Sequence, residues 1–550
     1  MPEILLIQPP IKDFYLTRKR TVPYGLTCLA ASLEKVGLSV GLFDALATGK
    51  SRPIDRPAHM AHLDAFYGKP DISPFALFHQ YRYFGYSHQH IKKVIKESGA
   101  FMVGISSLFT AYGAEALKVA ATVKSVQPEL VVVMGGHHPT ALPAVVMQSE
   151  NVDFVIRGEA ETSLPALALA VKAGRSPEAV PGIVFRRPDG RLKVSDPVWI
   201  NNLDACPPPA GHLIKRNYYK RGLRGAAVVM ASRGCPLNCS YCAFGSGGGF
   251  PYRKRSISLI MQEIETQVRD NKVGFIDFED ENLSMDRDWF MELIGAINQC
   301  LGNREIELRA MNGLFPPALD GAMIRAMRDA GFKTLNLALG TTAVDQLKRF
   351  NRTDVSAAFD AALESARRYG LEAVGYIIAG APDQPAAASL ADLLYLAERR
   401  VLAGVSIFYP APGSLDYARC QQRGLLPERY GLMRATALPV DHTTSRLESV
   451  TLLRLGRILN FIKFLKDRGI PFLPEKDTAP GELPTAADRT AVGIWLLQDF
   501  FRSGIIRGLT PDGRLFAHTV SQRLTRAFIE GINGLDVKGV VAAGQADVSD

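Results

Sequence analysis

The feature that most limits the fold of this 550-residue chain is a rhythm. Short apolar runs alternate with amphipathic stretches, twice over, with a break between the two series. In the first series the apolar runs read ILLIQPP (Ile4–Pro10), SVGLFDA (Ser39–Ala45), FMVGISS (Phe101–Ser107), LVVVMGG (Leu130–Gly136) and VDFVIRG (Val152–Gly158). Apolar residues at helical spacing fill the gaps, as in LTCLAASLEKVG (Leu26–Gly37) and AEALKVAATVKSV (Ala114–Val126). Such alternation predicts an α/β unit with a parallel, doubly wound, Rossmann-like sheet over residues 1–195. Ligands on such a sheet sit beyond the carboxyl ends of its strands. Those ends are polar or glycine-rich here: Pro9-Pro10, Ser106-Ser107, Gly135-Gly136-His137 and Gly158-Glu159.

Residues 196–225 read as a linker, because CPPPAGH and YYKRGLRG break regular structure. The second series then runs over 226–425 with six strand signals: AAVVMAS (226–232), VGFIDFED (273–280), EIELRAM (305–311), TLNLALG (334–340), EAVGYIIAG (372–380) and VSIFYPAPG (405–413). Six units are too few for a closed eight-fold barrel and predict a partial (β/α)6 barrel, with its site at the carboxyl ends of the strands. Residues 426–550 turn mainly helical. In Ser449–Gly469, apolar Leu452, Leu455, Leu459, Ile462 and Leu465 are interspersed with Arg454, Arg457, Lys463 and Lys466. Two readings stand for this stretch: a helix packed on the barrel, or a basic amphipathic helix in peripheral contact with a membrane. An insertion at residues 48–98 holds five of the ten histidines and many aromatics, as in FHQYRYFGYSHQH. Its spacing repeats no metal motif, so a packed aromatic flap is expected there.

The net charge of +9 is modest for this length and no Lys/Arg run is long, which argues against a nucleic-acid binder. No apolar stretch reaches the roughly 18 residues of a transmembrane helix, and the opening MPEILLIQPP lacks the form of a secretory signal. Of seven cysteines, Cys28, Cys206, Cys300 and Cys420 are scattered singly. That usage predicts a reducing, cytoplasmic setting in which one local cluster carries the chemistry.

The cluster is RGCPLNCSYCAFGSGGG (Arg233–Gly249), with Cys235, Cys239 and Cys242 on a loop that leaves the first strand of the second series. Zinc would need a fourth ligand, and no Cys or His pair stands close in sequence, although a distant residue remains open. A disulfide does not suit the compartment, and unrelated buried thiols rarely take this spacing. A 4Fe-4S cluster with one iron left open accounts for three thiolates. The vacancy lets a substrate bind the iron directly.

C-x3-C-x2-C on the loop after the first strand of a partial barrel resembles the radical S-adenosylmethionine (radical SAM) superfamily. The resemblance implies that the open iron is chelated by the amino and carboxylate groups of S-adenosyl-L-methionine. One electron would then cleave the C–S bond to give a 5′-deoxyadenosyl radical. Tyr241 and Phe244, flanking the third cysteine, would shield the cluster and pack against adenine. FEDEN (Phe278–Asn282) matches the segment that receives the methionine amino group, with Glu279 and Asp280 as candidates. MNGL, through Asn312, and GYIIAGAP, through Gly380, sit where the family has ribose and adenine contacts. PAPGS (Pro410–Ser414) resembles the ending of the last barrel strand. One departure is Gly340-Thr341-Thr342, where many relatives carry Glu-Ser-Gly; the loss of that Glu is expected to widen the pocket.

The first unit resembles the cobalamin-binding domain of one branch of the superfamily. The matching stretches are the prolines after strand one, VPYGLTCLAASLEKVGLSVGLFDA, KVIKESGAFMVGISS, VVVMGGHHPTALP and VDFVIRGEAET. The resemblance implies cobalamin contacts from Pro10, Ser106, Ser107, Gly135, Gly136, His137, Gly158 and Glu159. The D-x-H-x-x-G signature is absent, since Pro10-Ile11-Lys12-Asp13-Phe14-Tyr15 follows strand one, so no protein histidine is expected on cobalt. Together these readings imply a cobalamin-dependent radical SAM C-methyltransferase acting on an unactivated carbon. Ring contraction, cyclisation or another radical rearrangement on the same scaffold is the rival, and a non-catalytic corrinoid or iron–sulfur sensor is the rival of another class. A flavodoxin- or ferredoxin-like electron donor and a small-molecule substrate, with room for an apolar one, are implied as partners.

Overall fold

The computed structural model describes residues 1–14, 22–244, 250–301, 305–474 and 482–540. Its first unit is a seven-stranded sheet in the order Leu192–Val194, Ile183–Arg186, Phe154–Ile156, Val131–Gly135, Met102–Ser106, Ile4–Gln8, Val40–Asp44. The last five are parallel neighbours, and Ile183–Arg186 and Leu192–Val194 extend the edge in antiparallel pairing. The continuous apolar runs follow from burial on both faces. Leu5 and Ile7 enter one core with Val103 and Ile105, while Ile4 and Leu6 enter the opposite core with Met102 and Val133. The chain winds outward in both directions from the pair Ile4–Gln8 and Met102–Ser106. This is the strand reversal beside which open α/β sheets bind ligands.

The second unit carries six parallel strands in two runs of three. Arg224–Val229, Val273–Phe278 and Glu307–Ala310 pair in one run; Thr334–Gly340, Glu372–Ala379 and Leu402–Ile407 pair in the other. Parallel bridges Leu308–Phe332 and Leu314–Leu337 join the runs. The last strand starts three residues earlier than its sequence signal and stops at Ile407. Pro410 and Pro412 lack the N–H groups a ladder needs.

The insertion differs from its expectation in extent. His88–Ser98 is a sheet-covering helix whose Ile91 and Ile95 enter the first unit's core. The remainder forms a small antiparallel sheet of Ile11–Asp13, Arg82–Phe84 and Ser51–Pro53. Its aromatics Tyr67, Phe75, Phe78 and Tyr81 gather with Phe14 under the carboxyl-terminal helices, where Phe75 meets Phe461 at 5.6 Å.

The helix Arg446–Asp467 opens with a reciprocal cap between Ser445 and Glu448 and is buried nearly all round. Leu452, Leu455, Leu459, Ile462 and Leu465 pack in the barrel's core, and Arg454 and Lys463 are buried as well. The surface reading of this helix is therefore corrected: its apolar face is covered by protein, and no membrane contact can use it. Among the described residues no helix is long and apolar enough to cross a membrane.

Candidate functional site

The cysteine loop is held at its root by two acids. Asp280, fully buried, accepts from the backbone N–H groups of Ala231 (3.2 Å) and Ser232 and from the Ser232 hydroxyl (2.6 Å). Glu281 accepts from the Gly234 N–H at 3.0 Å. Burial pushes the Asp280 carboxyl up to about 7 and also raises that of Glu281. Both Asp280 oxygens thereby accept from the root of the loop. Glu279 takes its N–H to Val229 and its carbonyl to the Asn312 side chain at 2.8 Å.

Each thiol sulfur has one N–H donor aimed at it. The Asn282 amide donates to Cys235 Sγ at 3.6 Å, Arg352 to Cys239 Sγ at 3.7 Å, and the Phe244 N–H to Cys242 Sγ at 3.4 Å. Sulfurs surrounded by donors are what thiolate ligands of an iron–sulfur cluster require, since those bonds spread the ligand charge. Burial, helped by the neighbouring thiols and Glu281, raises the Cys235 thiol and pushes the Cys242 thiol up to about 11. Bound iron would oppose that by deprotonating the thiols outright. Among the described residues no group of three or more His, Cys, Asp or Glu side chains is placed to hold a single metal ion. The glycine-rich run 245–249 lies outside the described residues.

Tyr241 turns away from the loop mouth. Its ring meets Phe350 at 4.9 Å and its hydroxyl accepts from Arg352 at 3.1 Å. Phe244 faces the other way, with its ring centroid 4.1 Å from that of His137 and 5.3 Å from that of Phe250. Phe250 in turn meets Trp199 at 3.8 Å. The carboxyl edge of the first sheet therefore abuts the cysteine loop. Gly413, in the turn after the last barrel strand, reaches the same junction: a Cβ there would lie 3.7 Å from the Ala141 methyl and 3.8 Å from that of Ala243.

At the sheet edge Ser106 is half-buried, and the buried Ser107 hydroxyl has no hydrogen-bond partner. Gly136 runs at φ +112°, and a Cβ on it would sit 2.7 Å from the Ser107 carbonyl oxygen. Only glycine suits both the dihedral and the approach. Gly135 meets nothing nearer than the Ile156 carbonyl at 3.8 Å, which leaves a shallow opening. Pro10 packs toward Gly85. His137 is half-buried, and desolvation pushes its imidazole down to about 4. His138 is buried, with Nδ1 unpartnered. Open backbone at glycine, an unsatisfied hydroxyl and an unsatisfied imidazole nitrogen beside the strand reversal fit the amide-rimmed edge of a corrinoid.

Two expected corrinoid contacts are otherwise engaged. Gly158 lies against Val198, where a Cβ would meet a carbonyl oxygen at 2.2 Å. Glu159 pairs with Arg253 at 2.7 Å and Arg233 at 3.4 Å, and accepts from the Ile200 N–H at 2.6 Å. Arg233 also reaches Glu161 at 2.6 Å. These acids of the first unit thus grip the antiparallel pair Ser232–Arg233 and Arg253–Lys254 that brackets the cysteine loop. Gly380 is claimed by the carboxyl-terminal helix, because a Cβ there would lie 2.9 Å from Ser449 Oγ. Nor is the space beside Gly340 open. Arg352 fills it, with Nε 3.2 Å from where a Cβ would stand.

Comparison with known proteins agrees with this geometry. Residues 79–168 match the B12 binding domain model and residues 229–393 match the Radical SAM superfamily model. A methyltransferase of Pyrococcus horikoshii, described as uncharacterized, is 27% identical over 54% of this chain and 63% of its own length. The cytidylyl-2-hydroxyethylphosphonate methyltransferase of Streptomyces wedmorensis is 25% identical over 79% of this chain and 84% of its own. The anaerobic magnesium-protoporphyrin IX monomethyl ester cyclase of Rubrivivax gelatinosus is 32% identical over 48% of this chain and 47% of its own. This chain thus spans from about half to most of the length of these relatives. Among solved structures, the radical S-adenosylmethionine methyltransferase TsrM of Kitasatospora setae, with cobalamin and a 4Fe-4S cluster bound, aligns with a TM-score of 0.58 at 15% identity, over 77% of this chain and 75% of that one.

Proposed function

We infer that this chain, which joins a B12-binding domain to a radical SAM domain, is a cobalamin-dependent radical SAM methyltransferase that methylates an unactivated carbon of a small molecule. The observation that carries this reading is the contact of Phe244, two residues past Cys242, with His137 at the carboxyl edge of the first sheet. It brings a three-thiol loop and a corrinoid-sized edge to one junction. Methyltransferase relatives that match most or about half of the chain support the same outcome. When bound, the cofactors supply the methyl group, the one-electron chemistry and the hydrogen-abstracting radical.

The chain's own residues bind, orient and exclude water. Cys235, Cys239 and Cys242 hold the cluster, with Asn282, Arg352 and the Phe244 N–H satisfying the sulfurs. Ser107, Gly135, Gly136 and His138 form the corrinoid edge. His137, Phe244, Phe250 and Trp199 keep the junction apolar. Glu279, Asn282 and Asn312, at the ends of the second and third barrel strands, are the groups nearest the loop mouth for S-adenosylmethionine. A cytoplasmic setting and a flavodoxin- or ferredoxin-like electron donor complete the reading.

The Rubrivivax match favours one second reading, an oxidative ring closure on the same scaffold. Anaerobic incubation of reconstituted protein with S-adenosylmethionine carrying a deuterated methyl group and with cell extract separates the two. Methylation yields a product heavier by the labelled methyl group, whereas cyclisation yields 5′-deoxyadenosine without methyl transfer. Reconstituted protein that binds neither iron nor cobalamin overturns both readings.

A further inference from the structure

The turn after the helix Val344–Arg349 carries a part-buried cation that the cluster ligands alone do not explain. Its backbone is fixed from two sides. The Arg352 N–H donates to the Leu347 carbonyl at 3.0 Å, closing the helix end. The Ser240 N–H and hydroxyl donate to the carbonyls of Phe350 (2.8 Å) and Arg349 (3.0 Å), stitching the turn to the residue after Cys239. The Arg352 side chain then spans from the barrel to the loop. It donates to the Ala338 carbonyl at 2.5 Å, to Tyr241 Oη at 3.1 Å and to Cys239 Sγ at 3.7 Å. Its path runs over Gly340, where any side chain would crowd Nε. Nε itself is buried and has no partner. No carboxylate pairs with Arg352 among the described residues.

A guanidinium keeps its charge at any ordinary pH, and a buried charge without a counter-ion is costly. Among the described residues Arg352 donates to the Ala338 carbonyl, the Tyr241 hydroxyl and the Cys239 sulfur, and of these three the sulfur is the one that a bound cluster would make anionic. The anion this cation awaits is therefore the thiolate and the cluster behind it. A cluster gains a further negative charge on reduction, so a fixed neighbouring cation stabilises the reduced state more than the oxidised one. Net charge and hydrogen bonds to sulfur are the means by which a protein sets such a potential.

We propose that Arg352 is a positioning residue that, through its bond to the Cys239 sulfur, raises the reduction potential of the cluster. This rests on the cluster reading above, and the test distinguishes the two. Wild-type protein and the variants Arg352→Lys, Arg352→Gln and Arg352→Met are reconstituted anaerobically, assayed for iron and sulfide per chain, and titrated against potential with spin resonance as the readout. S-adenosylmethionine is left out, so that any effect on its binding is silent. At equal iron content, the Gln and Met variants should show about a tenfold lower ratio of reduced to oxidised cluster at a fixed potential, which is about 59 mV for one electron. The Lys variant, which keeps the charge without the fork, should fall between. If the Met variant fails to assemble, the Gln and Lys variants carry the measurement. Potentials equal to wild type in every assembled variant overturn the proposal and leave the cluster reading intact. Wild-type protein that takes up no iron overturns the reading beneath it.

Discussion

Asp280 offers the sharpest test of how the loop is built, because sequence and structure give it different work. In the structure its carboxylate accepts two backbone N–H groups and one hydroxyl at the root of the cysteine loop, with no water access. Each buried donor left unpaired costs about 1–3 kcal/mol. Asp280→Ala strands two backbone donors, a loss of about 2–6 kcal/mol. Asp280→Asn keeps one acceptor oxygen and turns an amide donor toward a backbone N–H, a loss of about 1–3 kcal/mol. The loss falls on the loop, so it should be read as cluster retention. Iron release to a chelator should be roughly ten- to a hundredfold faster in the Asn variant, since about 1.4 kcal/mol is a factor of ten. A pH signature accompanies it. Burial pushes the folded carboxyl up to about 7 from 3.8, so the native state binds more protons than the unfolded one between those values. Stability therefore falls as pH climbs through that window, by up to about 4 kcal/mol, and Asp280→Asn should flatten the slope. If the Asn variant keeps its iron and its pH profile while the KM for S-adenosylmethionine rises, Asp280 is a cosubstrate ligand and the tether reasoning is wrong.

Three further outcomes follow from the same contacts. Gly136→Ala places a Cβ 2.7 Å from a backbone oxygen at φ +112°, so cobalamin binding, followed by the corrinoid absorption of desalted protein, should drop sharply with iron content unchanged. Arg253→Met removes the shorter of the two Glu159 ion pairs, leaving Arg233 at 3.4 Å, and should cost about 1–3 kcal/mol, seen as faster proteolysis within residues 196–225; adding Glu159→Gln should recover part of the loss. Lys463, buried in the long helix, donates to the carbonyls of Ala397 (3.2 Å), Arg399 (2.6 Å) and Lys538 (3.0 Å), and burial pushes its amine down to about 7 from 10.5. The unfolded chain then binds more protons across that window, so its contribution to stability grows as pH rises from about 7 to about 10, and Lys463→Met should abolish that slope in denaturant titrations.

What could be read in the sequence was what proximity along the chain encodes. Strands such as Leu130–Gly136 announce themselves because helices bury both of their faces, so no polar alternation blurs the apolar run. The three cysteines lie within eight residues, and that spacing carries the resemblance that implies their chemistry. Partners drawn from elsewhere were not legible. Arg352 lies 110 residues past Cys242 in FNRTD, a stretch with nothing to mark it out. FEDEN was recognised as a unit, yet its acids divide the work in a way that no spacing reveals: Asp280 and Glu281 hold backbone, while Asn282, the neutral member, reaches a sulfur. Glu159 looked like a ligand because it ends a strand at the open edge. It is instead drawn to Arg253 and Arg233, whose positions only the folded chain fixes.

The loop is therefore gripped from three directions. Barrel acids hold its root, the turn at Arg349–Arg352 holds its middle through Ser240, and acids of the first unit hold the flanking arginines. Toward His137 and the sheet edge, the contacts of Phe244 among the described residues are between rings. Polar ties there would hold water and raise the local dielectric, whereas rings exclude both. Under the proposed function, intermediates moving between the two cofactors would need a dry junction, and a loop clamped on its other sides would keep the rings in place there. The anchors on the far side and the rings on the near side are thus one arrangement. Loosening Arg233 or Arg253 should widen the gap and let unproductive cleavage of S-adenosylmethionine outrun methylation, even where cluster and corrinoid both remain bound.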